Sequence, residues 1–322
     1  MSVKITLVAS SNGLGHARRL LQLSTGFLER GIQTCLIVTQ SQSEKLQFEI
    51  AGLEIFRKLE LHLIEPTGLE VFASKKTTIR RPIETSTVEL LASSDFTISD
   101  NSLWPAEFSK KFYLFGHFDW VTYFTKNKNE KNTLLDFEEV YQKEKELLRE
   151  VSGWFKMKDF HIESQRKIKS VEIPILKYHR DPKKYKSRTN QMWLSFGTTG
   201  RNVPKLDESL NQMYQSQQLE SWRMDYKNRV PEVIVGRPGI GTIRDCFANN
   251  VIFVPLWNGV DFELEHNEEV VMNLGLSINF KNLISGGVSE NALNNIRSDI
   301  DSYWNQSSAM PFSVVGQVLE NL

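Results

Sequence analysis

The chain has 322 residues with 39 basic and 39 acidic side chains, a formal net charge of zero, which argues against wholesale nucleic-acid binding. With 40% hydrophobic and 24% charged residues it is an ordinary globular sequence, long enough for two domains that each bury a core. Cys35 and Cys246 are its two cysteines, too few for a disulfide framework; both sit in apolar stretches and read as core thiols of a reducing cytoplasm. The longest apolar runs, such as Val251 to Trp257, fall short of the ~18 to 20 residues that span a bilayer. Ile5 to Ala9 is too short for a signal-peptide core.

In chain order, Ile5 to Ser10 reads as a parallel strand covered on both faces. The loop Ser11-Asn-Gly-Leu-Gly15 follows, then a helix whose face is set by Ala17, Leu20, Leu21, Phe27 and Leu28 and which stops at Gly31. Thr34 to Val38 is the next strand, completing a βαβ unit. Phe96 to Ser99 is a short strand ending at Asp100. Phe112 to Leu114 leads into the aromatic run Phe115-Gly-His-Phe-Asp-Trp120, and 137–151 patterns as an amphipathic surface helix.

Residues 156–188 hold eleven Lys or Arg against four acids and mark the linker, with domains expected at 1–185 and 186–322. Such a basic waist reads first as a solvated linker, and would also suit anionic lipid headgroups or an anionic acceptor. A second alternation then begins: strand Trp193 to Phe196, strand Val233 to Val235, the turn Gly236-Arg-Pro-Gly-Ile-Gly241, helix Thr242 to Asn249 and strand Val251 to Pro255. A helix over 263–274 closed by Gly275, and a strand from Leu276 to Phe280, continue it. Residues 258–301 hold eight acids against two bases. A final helix, Pro311 to Leu322, places Phe312, Val315 and Val318 at helical spacing and is expected to pack back on the first domain.

Glycine turns between strand and helix let a phosphate approach backbone amides at the positive end of the helix dipole. The dinucleotide fingerprint fails, since Arg18 stands at its third glycine and Val38 to Ser41 lacks an acid, and no Walker motif exists. The lone D-x-D, Asp299 and Asp301, lies in a helical stretch, so no metal site is expected. The turn 238–245 has two readings. One is a Thr242/Asp245 capping box; the other is a cradle in which Gly239 to Thr242 offer amides to a diphosphate while Asp245 accepts from a ribose diol. Downstream, Asp261, Glu263, Glu265, His266 and Asn267 open the next helix. There, carboxylates are electrostatically comfortable and also suit sugar hydroxyls.

The block Val233 to Gly275, with Gly-Arg-Pro-Gly-Ile-Gly-Thr-Ile-Arg-Asp, Val-Pro-Leu-Trp and Asp-Phe-Glu-Leu-Glu-His-Asn, resembles the donor half of GT-B glycosyltransferases. The group resembled contains the peptidoglycan N-acetylglucosaminyltransferase and the UDP-glycosyltransferases, and Ser-Asn-Gly-Leu-Gly-His-Ala-Arg resembles its N-terminal loop. Residues 45–190 are unmatched. The resemblance implies an α/β fold of two Rossmann-like domains facing across a cleft. It implies inverting, metal-independent transfer, hexosyltransferase in type, from a nucleotide sugar to a glycan, lipid-linked or small-molecule hydroxyl, in cell-envelope glycan synthesis. UDP-sugar is the expected co-substrate, with no cofactor, no obligate protein partner, and a cytoplasmic location that allows peripheral membrane contact.

By position, Gly239, Gly241 and Thr242 correspond to the diphosphate cradle, Arg237 to its flank, and Asp245 to the ribose-binding acid, where the group more often has Glu. Asp261 and Glu263 fall where donor-sugar ligands belong, without the expected Gln or Asn pair, and Thr198 and Thr199 match the small-residue loop over the phosphates. In the N-terminal loop, Gly13 and Gly15 precede His16, the candidate general base, with Arg18 as a phosphate contact or surface ion pair. Imidazole's unperturbed pKa near ~6.5 lets a neutral ring take a hydroxyl proton. Asp100 and Asp119 are further catalytic candidates, with His117 behind them, although Asp100 would serve equally as a helix cap. The rival readings on this scaffold are a nucleotide-sugar hydrolase, whose Gly-x-Gly-His-x-x-Arg loop Gly13 to Arg19 resembles, and a non-catalytic sugar- or nucleotide-binding protein.

Overall fold

The computed structural model describes residues 3–50, 54–74, 83–127, 136–177, 187–195 and 229–322. The chain divides into two compact units, one of Met1–His179 with Ala309–Leu322, the other Arg180–Ser308. Thr198 and Thr199 and the basic segment 178–186 lie outside the described residues.

The first unit is built on a seven-stranded sheet of β1 (Lys4–Ala9), β2 (Gln33–Thr39), β3 (Glu60–Ile64), β4 (Phe96–Asp100), β5 (Phe112–Gly116), β6 (Gly153–Met157) and β7 (Ser170–Ile173). Its order is β3-β2-β1-β4-β5-β6-β7 and its pairings are parallel. The apolar run of β1 is explained by position: it is central, and Ile5, Leu7 and Val8 are wholly buried. Helix α1 (Leu14–Glu29) crosses from β1 to β2, followed by α2 (Gln40–Ile50), α3 (Glu70–Ser74), α4 (Thr85–Ser93), α5 (Trp120–Lys126) and α6 (Phe137–Leu147). The surface helix expected over 137–151 thus ends near 147. The chain leaves β1 toward β2 on one side and returns to β4 on the other, so the order in which strands are added reverses between β1 and β4. Such a switch point opens a crevice at the carboxyl ends of the strands.

The two-residue strand β8 (Ile175–Leu176) follows β7 in the first unit, and the second unit carries a three-stranded parallel sheet in which β10 (Arg229–Gly236) lies between β9 (Ser187–Ser195) and β11 (Ile252–Pro255). Helices α7 (Ile240–Ala248), α8 (Phe262–Asn273), α9 (Phe280–Ile284) and α10 (Glu290–Ser307) alternate with it or follow it. The strand expected at Leu276 to Phe280 does not form. It shrinks to one bridge, Phe253 to Ser277, because Asn279 accepts from the Lys281 amide (2.9 Å) and starts α9. Asp299 and Asp301 lie within α10. Both cysteines are buried, and burial raises both thiols, Cys35 to about 12. No helix among the described residues is long and apolar enough to cross a membrane.

Helix α11 (Pro311–Leu319) closes the first unit. Val314, Val315 and Val318 are wholly buried in the same cluster as Leu20, Leu23 and Phe27 of α1, at ~1.5 to 3 kcal/mol of burial apiece. At its far end Tyr113 Oη donates to Leu322 O (2.8 Å). At its near end Arg30 Nη2 donates to Phe312 O (3.0 Å) and the guanidinium lies 4.0 Å from the Phe312 ring centroid. The closest approach is at Gly26, where a β-carbon would stand 2.5 Å from Pro311 O. Helix propensity alone predicts that Gly26→Ala stabilises by ~1 kcal/mol. We expect the opposite sign, a loss of ~1 to 3 kcal/mol, because a backbone oxygen cannot yield as a side chain would. Denaturant unfolding of the two proteins decides between them.

Candidate functional site

The switch point of the first unit gathers the N-terminal candidates. β1 ends at Ala9, the chain turns through Ser10 to Gly13, and α1 begins at Leu14 with Gly13 (φ 97°) as its N-cap. Gly15 therefore lies inside the first helical turn, and His16 is the third helical residue. Asp100 is the last residue of the neighbouring strand β4. Gln42 fixes the turn between them. Its Nε2 donates to Ser10 O (2.8 Å) and Gly13 O (2.7 Å), and its Oε1 accepts from the Thr39 amide (3.0 Å).

His16 and Asp100 meet directly, with Nδ1 2.9 Å from Oδ1. Arg19, three residues further along α1 and on the same face, places Nε 2.8 Å from Oδ2 and Nη2 2.9 Å from Oδ1. All three are buried, Asp100 completely. Burial opposes the charge on Asp100, but the Arg19 guanidinium and His16 outweigh it and hold the carboxyl well below the usual carboxylate range. Its contribution to folding is full above ~pH 4 and is lost as acid protonates it in the folded state. An ionised carboxylate only accepts, so the Nδ1 proton points to it. Arg19 Nη2, though 2.9 Å from Nδ1, then cannot donate to that nitrogen and is satisfied by Oδ1. In a neutral ring that tautomer leaves the lone pair on Nε2, which makes no hydrogen bond among the described residues. Phe118 and Trp120 flank the ring, each with its centroid 6.5 Å away, and Trp120 Nε1 donates to Ser10 Oγ (3.1 Å).

Asn101 (φ 70°) adds a third donor. With its amide oriented to satisfy both neighbours, it donates to Phe118 O (2.7 Å) and Asp100 Oδ1 (3.2 Å). Gly116 (φ 113°) lies so close that a β-carbon would stand 3.0 Å from Asp100 Oδ1. Asp119 has a different role from the one its sequence suggested. Its Oδ1 accepts from the Thr122 amide and its Oδ2 from Thr122 Oγ1, both at 2.8 Å. It caps α5 with both oxygens spent, and burial raises its pKa. His117 is wholly buried against Phe118. Arg18 is half-buried; its neighbour Arg19 is the residue that reaches Asp100.

In the second unit the turn after β10 is tight. The Arg237 amide donates to Ser195 O (3.1 Å) and the Gly239 amide to Arg237 O (2.8 Å). Helix α7 begins at Ile240 with Gly239 as an N-cap that makes no side-chain cap bond. The capping-box reading is thereby corrected: Thr242 is already inside the helix and cannot be its cap. The Gly239 amide is committed within the turn, which leaves Ile240, Gly241 and Thr242 as the first-turn amides without an intrahelical acceptor. Asp245, one turn on, is buried with Oδ1 3.5 Å from Arg244 Nη2.

Asp261 caps α8, its Oδ1 accepting from Glu263 N (3.1 Å) and Leu264 N (3.2 Å), so the electrostatic reading of that carboxylate holds in the structure. Glu263 stands half-buried in the first turn. Asn267 donates to Pro238 O (2.9 Å) and ties α8 to the glycine turn. Asn267 was visible in the sequence as part of the acidic block. Gln42 carries no signal of this contact in the sequence, and Arg19 stands out there only as the last residue of the Gly-x-Gly-His-x-x-Arg loop, Gly13 to Arg19.

No protein-family profile and no curated protein sequence matches the chain. Solved structures do, over their whole length. A UDP-glucosyltransferase from Polygonum tinctorium capable of glucosylating indoxyl aligns at TM-score 0.66 and 10% identity, covering 100% of this chain and 98% of its own. The glycotransferase of kitacinnamycin aligns at 0.62 and 12% identity, covering 100% and 99%. UGT2 of Phytolacca americana, solved with UDP-2-fluoroglucose and pterostilbene, aligns at 0.61 and 10% identity, covering 99% of each chain. The chain is an α/β protein with the GT-B fold found in nucleotide-sugar glycosyltransferases.

Proposed function

We propose that the chain is a glycosyltransferase that moves a sugar from a nucleotide-diphosphate sugar, a UDP-sugar, to a hydroxyl acceptor, with His16 as the general base. The observation that carries this reading is the buried Arg19–Asp100–His16 arrangement at the switch point of a GT-B fold. Asp100 orients the imidazole through Nδ1 and balances the charge that appears when Nε2 takes the acceptor proton. The deprotonated hydroxyl attacks the anomeric carbon, the bond to the diphosphate breaks, and in-line displacement inverts the centre. Two of the structural neighbours, a UDP-glucosyltransferase and an enzyme solved with UDP-2-fluoroglucose, support that nucleotide.

On the donor side, the first-turn amides of α7 and its dipole take up the charge of the departing diphosphate without a required metal, flanked by Arg237. Asp245 holds the ribose hydroxyls, and Glu263 a sugar hydroxyl. A hexose donor and a small-molecule or lipid-linked acceptor fit this chemistry, as do envelope glycan synthesis and peripheral contact with anionic lipid.

His16→Ala should lower turnover by ~10² or more while leaving nucleotide affinity intact; near-normal turnover removes His16 from the chemistry. Asp245→Ala should weaken binding of UDP, measured by calorimetry, by ~1 to 3 kcal/mol. Unchanged affinity in the folded variant gives that carboxylate a role inside the unit, beside Arg244. Release of UDP at equal rates with and without acceptor identifies the protein as a hydrolase instead.

A further inference from the structure

Gln42, just past the end of β2, makes two sets of bonds with one buried side chain, and its own helix explains only one of them. Thr39 and Gln42 form a capping box at the start of α2. Thr39 Oγ1 accepts from the Gln42 amide (3.3 Å), and Gln42 Oε1 accepts from the Thr39 amide (3.0 Å) and from Thr39 Oγ1 (3.3 Å). That pattern needs only the side-chain oxygen, which a glutamate supplies equally. The side-chain nitrogen is committed elsewhere: Nε2 donates to Ser10 O (2.8 Å) and to Gly13 O (2.7 Å), 32 and 29 positions earlier in the chain.

Ser10 and Gly13 are the two ends of the turn between β1 and α1. Gly13, the N-cap of α1, has φ 97° and makes no side-chain cap bond, so the cap residue itself contributes nothing to fixing where that helix starts. One planar group that grips both carbonyls sets their separation, and with it the angle at which α1 leaves the turn. His16 follows within the first helical turn and meets Asp100 of β4 through Nδ1 (2.9 Å). We propose that Gln42 is a positioning residue for His16: its side-chain amide locks the turn after β1 to the end of β2 and so holds the imidazole against Asp100. The inference deepens the reading of His16 as general base and rests on it for its kinetic consequence alone.

The acceptors explain why the residue is glutamine. Turning the amide over would set its oxygen against two carbonyl oxygens and its N–H groups against the Thr39 amide, so the network fixes its orientation. A glutamate at this position would keep the capping box and lose both donors. Ionised, it would repel the two carbonyls; protonated, it would return one donor. Trp120 Nε1, which donates to Ser10 Oγ (3.1 Å), holds the same turn through a side chain, whereas Gln42 grips its main chain. A reacting group displaced by ~1 Å loses on the order of 10²-fold in rate, so a bond made well away from the reacting atoms is felt in turnover.

The test compares the full chain with its Gln42→Glu and Thr39→Val variants. The first keeps the cap and removes the grip; the second removes the hydroxyl half of the cap and keeps the grip. The Nδ1 proton of His16, assigned in NMR spectra of histidine-labelled protein by its absence from His16→Gln, should exchange with solvent ~10-fold or more faster in Gln42→Glu than in wild type at ~pH 8, and at the wild-type rate in Thr39→Val. With UDP-glucose as donor and UDP release as the readout, kcat of Gln42→Glu should fall ~10-fold or more while KM stays within ~2-fold, and the deficit should shrink toward ~pH 6 as the introduced carboxyl takes up a proton. A wild-type exchange rate in Gln42→Glu, or one raised equally in Thr39→Val, overturns the proposal, as does an unchanged kcat where His16→Ala is impaired. If Gln42→Glu does not fold, Gln42→Met, uncharged and of similar length, takes its place with the same expected and overturning exchange rates. If His16→Ala leaves turnover unchanged, the proposed reaction fails, and the exchange comparison alone decides the role of Gln42.

Discussion

A carboxylate with no access to water must be met by charge or lose its own, and Asp100 imposes that condition on everything around it. Arg19 meets it with two bonds from its guanidinium, Asn101 adds a third donor, and His16 is left with one possible arrangement of its Nδ1 proton. The same contacts tie helix α1 to strand β4 across the place where the strand order reverses. Replacing Arg19 would strand a buried negative charge, so the pair is as much a condition of folding as of chemistry. Orientation of the imidazole thus follows from the electrostatics of the core, with no loop motion needed to set it.

The glycine turn of the second unit works by the opposite device. Two helices there begin within one layer, yet α8 is capped by a carboxylate while α7 has glycine at its cap. Asp261 satisfies the first amides of α8 internally. At α7 no side-chain cap bond covers the amides after Gly239, and Asn267 braces the turn through Pro238 O. A helix start without a side-chain cap, held by a neighbour's side chain, is chemically suited to an anion.

What could be read from the sequence follows how far each signal depends on neighbours. β1, α1 and β2 announced themselves because central strands are apolar throughout and α1 carries a regular stripe. β3 did not: Glu60-Leu-His-Leu-Ile64 is an edge strand with Leu61 and Leu63 exposed, and it becomes a strand only because β2 offers it a partner. The helix after Gly236 was placed two residues late, since Pro238 and Gly239 both interrupt a pattern and the first residues of a helix look like the turn before it. His16 and Asp100 were each legible as isolated candidates; their contact spans 84 positions and no local pattern encodes it. Arg18 and Arg19 are adjacent, and without a helix start at Leu14 nothing in the sequence says which of the two points inward.

The docking of α11 has a consequence for how the molecule is made. Its three valines complete the hydrophobic layer over α1, yet they are translated only after the entire second unit. While synthesis proceeds, the outer surface of α1 around Gly26 stays uncovered, a sticky patch on a nascent polypeptide. The first unit begins to assemble early on the ribosome and is sealed late, so its maturation waits on a segment encoded some three hundred codons downstream of its opening strand.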